Sequence, residues 1–308
     1  MNVSSMNSVF ASDYLRHHAQ AFLKQTGFYQ RLKSSCVRDF YWSIASPQLL
    51  ADRAKEVEFY RTTLAGFQQG DVIFDIGAND GSKTDVFLRL GAKVVAVEPD
   101  ETNQEVLNGK FLKNGVIRKP VTIEGKAVSD RVGTTTLWIE APGSALNTLN
   151  PKWVNTLQNS KDRFGSCLNF AGEKQVETTT LETLMADHGV PFYIKIDVEG
   201  HEHGVLRGLK CPVPFLSFEV NLPEFKEEGL ECIDLLHEID SEGEFNYAAD
   251  CHQGLVLERW MPREEFVRAF ELCNQSAIEI FWRTPKRFQH AKSDIQDDEI
   301  HSNHFRAQ

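Results

Sequence analysis

The sequence predicts an α/β fold built on a mostly parallel sheet with crossover helices. Three observations lead there. From Asp71 onward, short apolar runs alternate with helical stretches in the order strand, helix, strand, helix, strand. The apolar runs are continuous, as in strands covered on both faces. Glycine and acid gather where those runs end, which is where open parallel sheets bind ligands.

Taken in order, residues up to about Phe67 read as a helical extension with amphipathic segments at 14–32 and 48–64, Pro47 standing just inside the start of the second. "DVIFDIG" is a strand closed by glycine, and "KTDVFLRLG" is a helix with Gly91 after its end. "AKVVAVEPD" is the second strand, "ETNQEVLNGKFLKNG" a helix, and "VTIEGKAVSD" a third strand weakened by Gly125. "GTTTLWIE" is an extra strand. Residues 141–174 mix Pro, Gly, Asn and Ser around a helix near Trp153. Such a long irregular stretch is either functional cover or disorder. After it, "TLETLMADHG" is a helix, "PFYIKIDVEG" a strand, "HEHGVLRGL" a helix and "VPFLSFEVN" a strand. "GLECIDLLHEID" is an amphipathic helix. "FNYAAD", "GLVLERW" and "AIEIFWRTP" read as late strands, with a helix at "REEFVRAFEL" before the last. The expected partition is a helical extension over 1–67, a main domain over 68–285 with a substrate-cover insertion at 141–174, and a polar tail over 286–308.

Bulk properties narrow the function. The chain has 308 residues and a net charge of −11, with no basic stripe for nucleic acid. Six cysteines are scattered, without C-x-x-C pairs or zinc spacing, as in a cytosolic protein with reduced thiols. No apolar run approaches the ~20 residues that span a bilayer. The first twenty residues lack the basic and apolar regions of a signal peptide. These features predict a cytoplasmic protein with neither nucleic-acid nor membrane partners.

The loop after the first strand, Asp75 to Gly81, is G-x-x-x-G rather than G-x-G-x-x-G. Gly77 and Gly81 allow a sharp turn and close approach to a ligand. Asp80 places negative charge where a pyrophosphate would rest, which suits a cationic ligand such as an amine or sulfonium. Glu98 ends the second strand about 20 residues later, where an acid accepts ribose hydroxyls. Asp130 is either an adenine contact or a turn aspartate, and Ala127 and Val128 pack on a base or on the core.

"YIKIDVEGHEHG" is the second constellation. Alternation puts Tyr193, Lys195 and Asp197 on one face, which makes Lys195 interior and in need of a partner. Helix N-terminal chemistry accounts for Glu199 and Glu202. His201 has an ordinary pKa near neutrality and is a candidate proton acceptor. Glu219 and Asn221 alternate onto one face of the next strand. With Asp197 they form either a magnesium site, which is not favoured, or a set of hydrogen-bonding groups for a polar substrate.

Together these segments resemble the FkbM-type methyltransferase family, which depends on S-adenosylmethionine. The resemblance rests on Asp75-Ile76-Gly77-Ala78-Asn79-Asp80-Gly81 with Thr84 following, on Val97-Glu98-Pro99, and on Lys195-Ile196-Asp197-Val198-Glu199-Gly200-His201-Glu202. "VETTTLETLM" is also similar, with Glu182 where aspartate is usual. The resemblance implies a Rossmann-like class I methyltransferase sheet of seven mostly parallel strands, the last antiparallel. It implies that residues 75–81 hold the methionine part of the cofactor, that Glu98 holds the ribose, and that a methyl group passes to a hydroxyl of a sugar or other small-molecule or glycan acceptor. His201 and Asp80 stand at variable positions of the family, so a base role for His201 comes from the residues alone: on that reading Asp197 or His201 would take the proton, with Glu199 orienting the turn or the acceptor and Lys195 positioning the site. Trp153 is either a sugar platform or a core residue. The rival readings are a magnesium-assisted transferase, a nucleotide-dependent oxidoreductase, and a non-catalytic scaffold of the same fold.

Overall fold

A computed structural model describes residues 47–113, 119–161, 163–164 and 167–285. The helix expected at 14–32 and the tail from 286 lie outside these residues.

The first described element is helix α1 (Pro47–Thr63), with proline at its first position. Its Tyr60 is fully buried and meets Phe87 and Tyr193 at ring-centroid distances of 5.0 and 5.8 Å. Strand β1 (Val72–Ile76), helix α2 (Ser82–Leu90), strand β2 (Lys93–Val97) and helix α3 (Glu101–Leu107) follow as the apolar runs require. Gly91 ends α2 at φ 102°, and the Asp100 side chain caps α3 by accepting from Thr102 N.

The remaining strands are β3 (Val121–Glu124), β4 (Ala127–Val128), β5 (Gly133–Ile139), β6 (Gly172–Thr179), β7 (Tyr193–Ile196), β8 (Phe215–Asn221), β9 (Glu244–Ala248), β10 (Met261–Pro262) and β11 (Ala277–Arg283). The helices between them are α4 (Pro151–Asn159), α5 (Leu181–His188), α6 (Glu202–Leu206), α7 (Lys226–Ile239) and α8 (Arg263–Glu271). The main sheet runs β10-β9-β11-β8-β7-β1-β2-β3. Strands β3, β2, β1, β7 and β8 are mutually parallel, and β11 is antiparallel to both β8 and β9. A second sheet of three strands is ordered β4-β6-β5.

Three expectations change. The main sheet has eight strands rather than seven, because the two-residue edge strand β10 adds to it. "VTIEGKAVSD" is not one strand: it divides at Gly125–Lys126, and β4 leaves the main sheet to pair with β6. "GLVLERW" is not a strand. The Asn246 side chain takes over its backbone groups, donating to Leu257 O at 3.0 Å and accepting from Leu257 N at 3.1 Å. Within 141–174, α4 and the start of β6 are ordered elements.

One face of the sheet buries Phe74, Ile76, Ile194, Ile196, Leu216 and Phe218. The other buries Ile73, Tyr193, Phe215 and Phe281 beneath α1 and α2. On this second face, β-register sets Asp75 beside Lys195 and Lys195 beside Ser217, a polar row within an apolar layer. All three are at most 3 % exposed. Among the described residues, no helix is long and apolar enough to cross a membrane.

Candidate active site

The site forms at the carboxyl ends of β1, β2, β7 and β8. Gly77 leaves β1 at φ 83°, where a Cβ would fall 1.8 Å from the Asp197 carbonyl oxygen. Its bare Cα therefore admits the neighbouring β7 turn, rather than leaving room for a ligand alone. Gly81, at φ 75°, is filled against Leu107 and Phe111. It is a packing glycine and does not line the pocket.

Glu98 is 6 % exposed at the pocket edge. Its two carboxylate oxygens accept from Asn79 N and Asp100 N, each at 2.8 Å. Burial pushes its pKa up to about 7, against those two backbone N–H groups. Ile76, Val97, Ala127, Val128 and Leu137 supply apolar walls. Asp75 and Thr84 stand behind the loop instead, Thr84 Oγ1 donating to Asp75 Oδ2 at 2.5 Å. Burial raises the Asp75 pKa, while Lys195 and the Thr84 bond oppose it. Asp80 folds onto Ser82, whose backbone N–H and hydroxyl it accepts at 3.0 and 2.6 Å. Ala78 is buried in the layer under α1 and α2. Asp130 does not line the pocket; it lies beside the Ser129 hydroxyl, which donates to it at 3.4 Å.

The roof comes from residues 140–150, a part of the chain with no motif. Asp100 Oδ2 accepts from Gly143 N at 2.8 Å and from Asn147 Nδ2 at 2.7 Å. Thr148 Oγ1 donates to Glu199 O at 2.7 Å, and Asn150 Nδ2 donates to Gly200 O. Asp100 and Asn147 went unrecognised in the sequence. The only signal was the acid after Glu98-Pro99, which reads equally as a helix cap.

At the β7 end, Lys195 is 3 % exposed and donates to Asp197 Oδ2 at 2.7 Å, so the interior lysine has the partner that its burial demands. Burial alone lowers a lysine pKa, but Asp197, Glu279 and Asp75 outweigh it and the ammonium is held. Glu202 turns back and accepts from Val198 N and Gly200 N at 3.0 and 3.2 Å, closing the turn. Glu199 sits at φ 55°, a left-handed conformation rarely adopted outside glycine. Its Oε2 accepts from Trp153 Nε1 at 3.1 Å. Trp153 is 1 % exposed, which makes it a core residue and removes it as a sugar platform.

Asp197, Glu199 and Glu219 each bring a carboxylate oxygen within 4.8 Å of the others. Burial first, then Asp197 and Glu202, pushes the Glu199 pKa up to about 8. Burial first, then Asp197 and Glu199, does the same for Glu219. Glu199 thus stands where Asn221 was expected. Asn221 is turned away: its Oδ1 accepts from Arg163 Nη1 at 3.1 Å, while its amide donates to Glu219 Oε2 at 3.2 Å. His201 lies apart, its Nε2 at 3.0 Å from Ser129 Oγ, and burial lowers its pKa. It does not line the pocket.

The family profile described as "Methyltransferase FkbM domain" matches residues 75–245. The chain belongs to the FkbM methyltransferase family. No curated protein matches the sequence. Among solved structures, this FkbM-family chain is similar to a precorrin-6y C5,15-methyltransferase from Geobacter metallireducens, at 12 % identity and TM-score 0.36 over 76 % of this chain and 87 % of that one. It is also similar to a TehB-like SAM-dependent methyltransferase from Corynebacterium glutamicum, at 9 % identity and TM-score 0.36 over 75 % and 88 %. The plantazolicin methyltransferase BpumL in complex with SAH aligns at 10 % identity and TM-score 0.36 over 86 % and 99 %.

Proposed function

We propose that the protein methylates a hydroxyl of a sugar or other small polyhydroxylated acceptor, with S-adenosylmethionine as donor. The observation that carries this reading is the meeting of Asp197, Glu199 and Glu219 beside the pocket edged by Glu98. The chemistry of the pocket fits the donor. Glu98 offers carboxylate lone pairs for vicinal hydroxyls, and the apolar walls suit a base. The nearby acids favour a positive centre. When bound, the cofactor supplies an electrophilic methyl group on a sulfonium.

The chain's own residues then have two tasks, alignment and proton removal. Alignment contributes roughly 7–11 kcal/mol in well-oriented reactions. Glu199 is the proton acceptor in this reading. It lines both the pocket and the carboxylate group, and Trp153 Nε1 anchors its second oxygen. Its pKa of about 8 suits a general base near neutral pH. The left-handed φ costs of order 1–3 kcal/mol, a strain that aims the carboxylate. Asp197, held by Lys195, orients the acceptor, and His201 acts only through the Ser129 contact. With 140–150 in place the pocket holds about 110 Å³. Small-molecule sites usually start near roughly 300 Å³, so residues 144–145 and 147–149, which line it, act as a cover that shifts to admit ligands.

Calorimetric titration with S-adenosylhomocysteine tests this reading. One-to-one binding is expected, and no binding overturns it. A second reading follows from the same three oxygens, since their spacing also suits a magnesium ion that lowers the acceptor's pKa. Loss of turnover in chelator, restored by magnesium, would select it.

A further inference from the structure

A cavity beyond β8, of about 230 Å³, holds its polar groups on one another, Lys83 on Glu56 and His252 on Asp250. Under the roof of the Glu98 pocket, several polar side chains are likewise engaged within the protein. Asn147 Nδ2 donates to Asp100 Oδ2 and to Ala141 O, while its oxygen accepts from Glu140 N. Thr148 Oγ1 donates to Glu199 O and accepts from Asn150 N. Ser144 Oγ accepts from Leu146 N at 3.2 Å.

Asn103 is not so engaged. It stands on α3, shortly after Glu98 in the chain, and lines the pocket while only 4 % exposed. Among the described residues its carboxamide makes no hydrogen bond. A buried amide without a partner costs free energy, and native proteins rarely leave one. Its polar atoms are not sealed inside the protein as Asp75 Oδ1 and Trp282 Nε1 are. They open onto the pocket, where a ligand can complete them. Gly143 of the roof closes over the same amide. At φ 74° and without a side chain it comes so near that a Cβ would fall 3.2 Å from Asn103 Oδ1. Asp130, the residue that the sequence offered for the adenine, lies outside the pocket, so that role is open.

A carboxamide presents a donor and an acceptor side by side. Adenine answers with an amino N–H next to a ring nitrogen, the match that lets asparagine bond this base at two points. Ala127, Val128 and Leu137 supply apolar walls for the faces of such a base in the same pocket. We infer that Asn103 reads the base of the methyl donor. Its Oδ1 accepts from the 6-amino group, and its Nδ2 donates to the adjoining ring nitrogen. Asn103 thus sets which nucleoside the pocket takes, while Glu98 serves the ribose whatever the base. This inference rests on the methyltransferase reading above.

The test titrates two ligands calorimetrically into the full chain: S-adenosylhomocysteine and its analogue with purine in place of adenine. The analogue lacks only the 6-amino group, so it leaves the Asn103 oxygen unpaired. The wild type should bind it about tenfold more weakly, within the range of a base contact by asparagine. Asn103→Ala should weaken S-adenosylhomocysteine about thirtyfold and the analogue about threefold, so that the preference vanishes. Asn103→Leu keeps the volume and should also abolish the preference, so it serves if Asn103→Ala fails to fold. A merely structural role would weaken both ligands alike and preserve their ratio. Equal binding of the two ligands by the wild type, a preference that survives in the folded variants, or parallel loss of both ligands overturns the inference. No binding of S-adenosylhomocysteine to the wild type fells the donor reading and the inference with it. Normal S-adenosylhomocysteine binding with a preference that Asn103 does not control sinks the inference alone.

Discussion

The pocket over β1 and β2 has walls of Ile76, Val97, Ala127, Val128 and Leu137 around the carboxylate of Glu98, whereas the cavity beyond β8 sets Glu56, Glu219, Asp250 and Glu279 against Lys83. The first is made of backbone turns and apolar surface, and the carboxylate at its edge has both oxygens pinned by backbone N–H groups. The second is made of side chains that hold one another, Lys83 with Glu56, His252 Nδ1 at 2.7 Å from Asp250, and Ser217 and Cys251 donating to Glu279. A ligand common to a whole family can be gripped by the first kind of wall, because backbone and small apolar residues leave little to vary. Asp197, Glu199 and Glu219 lie on the boundary.

Breaking the boundary should have the largest effect. Glu199→Gln should lower kcat by about 10²–10⁴-fold, the range of general-base catalysis, with S-adenosylhomocysteine affinity intact. In the wild type kcat should rise with pH through about 8, as Glu199 loses its proton. Unchanged turnover in the variant would return the proton acceptor to Asp197. Next in size, Glu98→Ala removes the carboxylate from the apolar pocket. It should weaken S-adenosylhomocysteine by ten- to a hundredfold, about 1.5–3 kcal/mol for hydrogen bonds to a charged group.

A smaller effect separates the two regions by pH. Glu199 and Glu219 keep their protons in the folded protein to about 8, against an ordinary value of 4.5. The folded state therefore binds more protons than the unfolded chain across that interval. Stability from these groups is complete below about 4.5 and is lost as pH rises through about 8. Melting temperature measured over this range should fall, and Glu219→Gln should flatten the decline. The smallest effect is expected at the roof, where Asn147→Ala removes one bond to Asp100. It should speed S-adenosylhomocysteine dissociation a few-fold, about 1 kcal/mol, in stopped-flow measurements.

Much of this was legible because parallel strands covered on both faces leave continuous apolar runs, as Val72–Ile76 and Lys93–Val97 do. Lys195 could be placed inside by alternation, and its need for a partner pointed to a neighbouring acid, which the structure shows to be Asp197. Pairing between distant segments was less visible. Nothing local tells Ala127–Val128 to leave one sheet for another. Asn221 has the right face for the carboxylates, but Arg163, 58 residues away, claims its oxygen. Trp153 reads equally as platform or core until Phe225 is seen edge-on to it at 5.4 Å. The roof was hidden for the same reason: Asp100 and Asn147 are 47 positions apart and share no motif.

That roof is fastened on two sides, to the Asp100 carboxylate near the Glu98 oxygens and to the Glu199 and Gly200 carbonyls. It is a span between two abutments rather than a flap on one hinge. In the proposed reaction, raising it for nucleoside exchange would pull on the Glu199 peptide that the Thr148 hydroxyl holds, so release of the spent donor and the aim of the proposed base would be coupled.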